Sequence, residues 1–169
     1  MSDDALLTFL AYARELERES EDRYTELAAA MTTHHNRDVA DFFTEMARQA
    51  REHLSEVLQI SAGRDLPALQ PWDFQWPAAE PPESASYEAL HYRMSLPEAV
   101  ELALRNEYAA ERFYSQYGAG SNDTTVQRLA AEFADEEAGH ARALERLLQK
   151  SSDRRGHGRE DDDPPHMPE

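Results

Sequence analysis

The sequence predicts an all-α fold, a four-helix bundle built from two antiparallel helical hairpins that are joined by a long crossover. Three observations indicate this fold class. Ala, Glu, Leu and Arg are abundant and the 169 residues include only 6 Gly, a composition that favours helices. Apolar residues recur every three or four positions in four separate stretches, as on one buried helical face. Between the second and third stretches, residues 63–95 lack this periodicity.

The first hairpin is predicted at residues 4–31 and 37–61. The polar residues 32–36 interrupt the apolar pattern between these two helices, which is typical of a turn. Gly63 follows the second helix, and Gly often occupies the position just after a helix end.

The second hairpin is predicted at residues 96–117 and 124–150. Ser95 and Glu98 have the spacing of a capping box, which satisfies the free backbone N–H groups at a helix start. The small residues 118–120 are predicted to end the first helix of this hairpin.

The crossover at residues 63–95 is expected to be ordered, because it combines five Pro with Trp72, Phe74 and Trp76. A connection of this length lets the chain run the length of a bundle and start the next helix in the same direction. Residues 151–169 are rich in charge and almost free of apolar residues, which predicts a disordered acidic tail. The bundle is therefore expected to occupy residues 1–150.

Charge and cysteine content exclude several classes of function. The formal net charge of −17 opposes binding to nucleic acid or to an anionic membrane surface. No apolar run approaches the roughly 18 residues of a membrane span, and no secretory signal is recognisable, so a soluble cytoplasmic protein is expected. Because the sequence contains no Cys, any metal would have to be bound by carboxylate and imidazole groups.

Five ionisable residues interrupt the apolar stripes near the middle of the predicted helices. Glu17 lies on the stripe of the first helix and Glu107 on that of the third. His53 lies on the second stripe, while Glu137 and His140 are one turn apart on the fourth. A buried carboxylate is costly unless it is paired. Three acids and two imidazoles that converge predict a site for one or two cations.

The two hairpins also repeat each other. Tyr24 follows Glu17 by seven residues, and Tyr114 follows Glu107 by the same interval. The offset between the halves is 90 residues for Glu and Tyr and 87 residues between the two stripe histidines. This repetition predicts two similar half-sites around a pseudo-two-fold axis.

This pattern over residues 4–150 resembles the rubrerythrin branch of the ferritin-like diiron-carboxylate proteins, without a rubredoxin-type module. In that family two helices each contribute one Glu and the other two each contribute Glu-x-x-His, and together these residues bind two irons. The resemblance implies that the metal ligands are Glu17, His53, Glu107, Glu137 and His140.

Ala50 departs from the family pattern, because it occupies the position of the Glu in the first Glu-x-x-His motif. Water, Gln49, Glu21, Glu111 or nothing could replace the missing carboxylate. Two irons are expected from the family and one is the alternative because of Ala50, with manganese or zinc as other metals. Tyr24 and Tyr114 are expected near the metal, where a phenol could donate a hydrogen bond or an electron.

The resemblance implies a non-haem iron protein, a peroxidase or ferroxidase that reacts with peroxide or oxygen. A small-molecule oxidant and an external electron donor are then the expected partners, together with a second copy of the chain in a homodimer. The alternative is a non-catalytic metal-binding or scaffold member of the fold whose site is degenerate.

Overall fold

The computed structural model describes residues 2–69 and 92–157, and within them the secondary structure is entirely helical. The four helices are α1 (Ser2–Thr33), α2 (Arg37–Ser61), α3 (Leu96–Gly120) and α4 (Thr124–His157). The predicted all-α bundle is confirmed. No helix in these two ranges combines the length and the apolar character needed to cross a membrane.

The helices pack as two hairpins, α1 against α2 and α3 against α4, with further contacts between α2 and α3 and between α1 and α4. One core cluster joins the C-terminal ends of α1 and α4 to the N-terminal ends of α2 and α3, through Met31, Val39, Val100 and Leu144. A second cluster, which includes Phe9 and Val57, fills the opposite end. The helices α2 and α3 therefore run in the same direction, as the long crossover predicts.

Local hydrogen bonds hold the helix ends in place. The Ser95 hydroxyl accepts from the backbone N–H of Glu98, and the Glu98 carboxylate accepts from the backbone N–H of Ser95, each at 3.3 Å. The predicted capping box is therefore present. In the turn between α1 and α2, the Asn36 amide donates to the carbonyl of Met94 at 2.9 Å. This bond ties the first turn to the start of α3.

The structure extends three of the predicted helices, and α1 spans Ser2–Thr33 instead of residues 4–31. The helix α3 continues through Gly118 to Gly120 instead of ending at residue 117. A Cβ at Gly118 would lie 3.0 Å from the Cβ of Ala130, so this glycine lets α3 and α4 approach closely. The helix α4 continues to His157, so residues 151–157 are helical and not the start of a disordered tail.

The Ser151 hydroxyl donates to the Leu147 carbonyl at 3.1 Å in this added turn of α4. The Ser151 side chain is partly buried, so the turn has both a local bond and contact with the bundle. The rest of the predicted tail, residues 158–169, lies outside the described residues, as do residues 70–91 of the crossover with Trp72, Phe74 and Trp76.

Candidate metal centre

All five predicted ligand residues line one cavity, which lies midway along the bundle between the two core clusters. Its volume is about 20 Å³, enough for a water molecule or a small ion. The three carboxylates in its wall are almost fully buried, with exposed fractions of 4% for Glu17, 7% for Glu107 and 4% for Glu137. Such burial is costly unless the charges are balanced.

The helices place these side chains by their periodicity. Glu137 and His140 are three residues apart on α4 and so face the same way. Small residues of other helices, Ser20, Ala50 and Ala110, also line the cavity and leave room for the polar groups. The site is therefore an opening in the apolar core, and side chains of the four helices form its wall.

The carboxylates contact the two imidazoles in pairs. Glu137 connects both imidazoles, with Oε1 at 3.0 Å from Nδ1 of His53 and Oε2 at 3.8 Å from Nδ1 of His140. Oε1 of Glu17 lies 3.6 Å from Nδ1 of His53, and Oε2 of Glu107 lies 3.5 Å from Nδ1 of His140. The two imidazole rings stack with centroids 5.0 Å apart. In both histidines Nδ1 is the nitrogen that faces the carboxylates.

These contacts shift the pKa values strongly. Burial raises the pKa of Glu17 and, together with a hydrogen bond to Glu137, raises that of Glu107 well above its usual range. Burial alone would also raise the pKa of Glu137, but hydrogen bonds from Glu107 and the two histidines outweigh it and lower that pKa. Burial opposes the charge of His53, yet hydrogen bonds to Glu137 and Glu17 raise its pKa to about 11. Hydrogen bonds to Glu107 and Glu137 raise the pKa of His140 to about 10.

In the metal-free protein, protons thus supply the positive charge that the buried carboxylates require. Both imidazoles are protonated at neutral pH, and burial together with the contact with Glu137 raises the pKa of Glu107, which favours its protonated form. A metal ion would replace those protons, because an imidazole must lose a proton before its nitrogen can coordinate.

The two predicted tyrosines lie beside the cavity but have different partners. The Tyr114 hydroxyl donates to Oε1 of Glu17 at 2.8 Å. The Tyr24 hydroxyl instead accepts from the Asn106 side-chain amide at 3.2 Å. Burial raises the pKa of both phenols, so both remain neutral. The repetition seen in the sequence therefore breaks down at the hydrogen bonds of the two tyrosines.

Sequence reasoning missed two residues of the site. Glu136 is exposed on α4, yet its Oε2 lies 3.1 Å from Nε2 of His53. Asn106 is buried beside Glu107 and donates to Tyr24. The stripe pattern marks only positions in phase with the core, so it could not identify an acid at the edge of the cavity.

The expected replacements for a carboxylate at position 50 differ in where they lie. Gln49 lines the cavity. Glu21 forms an ion pair with Arg51 at 2.8 Å instead, and neither Glu21 nor Glu111 is part of the cavity wall. The side of the cavity next to Ala50 therefore has an amide where the family pattern has a carboxylate.

Comparison with known proteins identifies the family. The Rubrerythrin family profile matches residues 8–94 and 98–164 of this chain. The chain belongs to the rubrerythrin family. This rubrerythrin-family chain also matches the crystal structure of an uncharacterized conserved protein from Magnetospirillum magnetotacticum MS-1, with a TM-score of 0.70 and 40% sequence identity. The match covers 85% of this chain and 93% of the other. No curated protein matches the chain.

The donor atoms fit the metal that the rubrerythrin family implies. His53, Glu137 and His140 each offer one ligand atom, and these atoms all lie within 4.8 Å of one another. Imidazole and carboxylate together suit iron, manganese and zinc. The burial of three carboxylates carries a cost that a divalent ion would offset. The chain thus retains a candidate His and Glu metal site of the diiron-carboxylate type.

Proposed function

We propose that this rubrerythrin-family chain binds iron between its four helices and reacts with peroxide or oxygen, as a peroxidase or a ferroxidase. The convergence of His53, Glu137 and His140 in one buried cavity is the observation that carries the proposal. Glu17 and Glu107 complete the proposed ligand set from α1 and α3. Bound iron would supply the electrons that reduce an oxygen–oxygen bond.

The protein's own side chains would position and shield this chemistry. The Tyr114 hydroxyl holds Oε1 of Glu17, and Glu136 and Glu137 contact opposite nitrogens of His53. These contacts limit how far the proposed ligands can turn. The cavity is small, and an apolar core cluster lies on each side of it along the bundle, so it excludes a bulky substrate.

A proton can also be held inside the site. Burial and the contact with Glu137 raise the pKa of the Glu107 carboxyl well above its usual range, so this group can hold a proton in the metal-free protein. In the proposal, the Glu107 carboxyl gives up this proton when positive charge enters the cavity and accepts it again when that charge leaves.

The partners are part of the same proposal. These 169 residues contain no Cys and so no thiolate-held redox centre, and we propose a separate molecule as the electron donor. Peroxide or oxygen is the proposed small-molecule oxidant. The homodimer and the cytoplasmic location expected from the sequence stay predictions.

Elemental analysis tests the proposal directly. The full chain should be expressed without a His-tag in iron-supplemented medium, and its metal content and ultraviolet-visible spectrum measured before and after addition of hydrogen peroxide. Bound iron with a peroxide-dependent absorption change is expected. Glu137→Ala should remove both the iron and the spectral change. Absence of bound iron, or iron that neither peroxide nor oxygen alters, would refute the proposal.

The alternative function, a non-catalytic metal-binding or scaffold protein, rests on Ala50. The two functions differ in turnover. A scaffold would bind metal, yet would neither consume peroxide nor oxidise added ferrous iron faster than the Glu137→Ala variant does.

A further inference from the structure

The imidazole groups of this site share one carboxylate, Glu137. In two-metal sites the ions lie about 3.5–4 Å apart, and each has its own ligands. Here Glu137 contacts both imidazoles, the rings stack with centroids 5.0 Å apart, and the three ligand atoms lie within 4.8 Å of one another. Two imidazoles and one carboxylate are the ligand set of a mononuclear non-haem iron centre.

The pseudo-two-fold repeat shows that one half of the site lacks a carboxylate. The offset of 87 residues that relates His53 to His140 also relates Ala50 to Glu137. Glu137 is the carboxylate that connects both imidazoles, so the chain has lost the symmetry-related partner of its most central ligand. Gln49, which lines the cavity beside Ala50, is neutral.

Charge balance points the same way. Three buried carboxylates, Glu17, Glu107 and Glu137, line the cavity. A single divalent ion would leave one negative charge, which a proton on a carboxylate can neutralise, whereas two divalent ions would leave one positive charge that these three groups cannot neutralise. Uncompensated charge in a buried site is expensive, and two divalent ions about 3.5–4 Å apart repel each other strongly unless carboxylates lie between them.

We infer that this chain binds a single divalent metal, held by His53, Glu137 and His140, instead of the pair of irons typical of its family. This inference rests on the proposed function, since it assumes that the cavity binds a metal. Glu17 and Glu107 flank the ion and balance its charge. Because the triad leaves coordination positions free, a small oxidant can approach the metal directly.

Metal titration of the full chain tests the number of ions. The protein should first be stripped with a chelator and then titrated with Mn²⁺ alone, by calorimetry and by electron paramagnetic resonance. One tight Mn²⁺ per chain with an uncoupled six-line spectrum is expected. Two tight Mn²⁺ with a spin-coupled spectrum would overturn the inference, while the proposed function would stand. A chain that binds neither Mn²⁺ nor Fe²⁺ would overturn both.

Histidine variants provide a second test, which measures affinity and does not depend on counting the bound ions. If both imidazoles bind one ion, His53→Ala and His140→Ala should each raise the Kd of that ion by more than about 100-fold, above the effect of losing an outer contact. If each imidazole belonged to a different ion, either variant would retain one tight Mn²⁺. The matched control is His34→Ala in the turn after α1, where the ring stacks on Tyr92 away from the cavity.

The role of Ala50 can be tested by restoring the carboxylate. Ala50→Glu should raise the number of bound Mn²⁺ from one to two and introduce spin coupling. Ala50→Gln, which is similar in size but neutral, should still bind one ion. If a folded Ala50→Glu protein also binds only one Mn²⁺, the missing carboxylate at position 50 does not limit the number of bound ions.

Discussion

The Tyr114 hydroxyl on α3 donates a 2.8 Å hydrogen bond to Oε1 of Glu17 on α1, and both groups are almost completely buried. This bond joins the two hairpins at the level of the cavity. The same carboxylate oxygen lies 3.6 Å from Nδ1 of His53, so one phenol contributes both to stability and to the position of a proposed ligand.

Tyr114→Phe should therefore weaken metal binding as well as folding. We expect the Kd for Mn²⁺ to rise about 10-fold, the lower end of what loss of an outer contact costs. The free energy of unfolding of the metal-free protein should fall by about 1–3 kcal/mol, because a buried carboxylate loses a hydrogen bond. Titration with Mn²⁺ and urea unfolding would measure the two effects.

Tyr24→Phe is the matched control, since Tyr24 lines the same cavity but its hydroxyl accepts from Asn106 instead of donating to Glu17. It should lower the free energy of unfolding in a similar way but change the Kd for Mn²⁺ much less. Equal changes in Kd for both variants would contradict the role assigned to Tyr114.

Glu136→Gln tests the carboxylate that the sequence analysis missed. Glu136 lies 3.1 Å from Nε2 of His53, so its carboxylate can accept a hydrogen bond from the Nε2–H group. Nδ1 of His53 is then free to face the cavity. We expect the Kd for Mn²⁺ to rise about 10-fold to 100-fold. The control is Asp135→Asn, which removes one negative charge from the neighbouring exposed position. If both variants lose affinity equally, the loss comes from the change in overall charge and not from the orientation of His53.

The stability of the metal-free protein should fall as the pH rises above neutral. The pKa of His53 is raised to about 11 and that of His140 to about 10, both from 6.5. Because the folded protein binds these protons more tightly than the unfolded chain, their stabilisation is complete below pH 6.5 and is lost as the pH rises through about 10 and 11. The raised pKa values of Glu17 and Glu107 act in the same direction.

Urea unfolding in the presence of a chelator, at a series of pH values from 6 to 11, would measure this dependence. A double variant, His53→Gln with His140→Gln, should lose much of the slope between neutral pH and the folded-state pKa values. A wild-type stability that does not fall over this interval would show that the buried carboxylates do not hold the two imidazolium protons.

Gly118→Ala tests the close approach of α3 and α4. The added Cβ would meet the Cβ of Ala130 at 3.0 Å, and such overpacking typically costs about 1–3 kcal/mol. Part of this cost is offset by the higher helix propensity of Ala, worth about 1 kcal/mol. Gly120→Ala is the control, because a Cβ there meets nothing within 4 Å. Thermal unfolding should show Gly118→Ala to be the less stable of the two, and the reverse order would contradict the packing argument.

The sequence by itself determined the fold class and the residues that could form the site. Periodicity shows which face of each helix is buried, so an acid in phase with that face, such as Glu17 or Glu107, stands out without any coordinates. The capping box at Ser95 is equally local, because its atoms are three residues apart. The length of the crossover determined that α3 runs parallel to α2.

Only the tertiary structure decided which groups touch. The continuation of α3 through Gly118 depends on Ala130 of another helix, so a rule about glycine and helix ends predicted the wrong boundary. Likewise, the contact of Glu136 with His53 and the different partners of Tyr24 and Tyr114 depend on distances between helices. Periodicity describes one helix at a time, whereas a metal site depends on how several helices are positioned relative to each other.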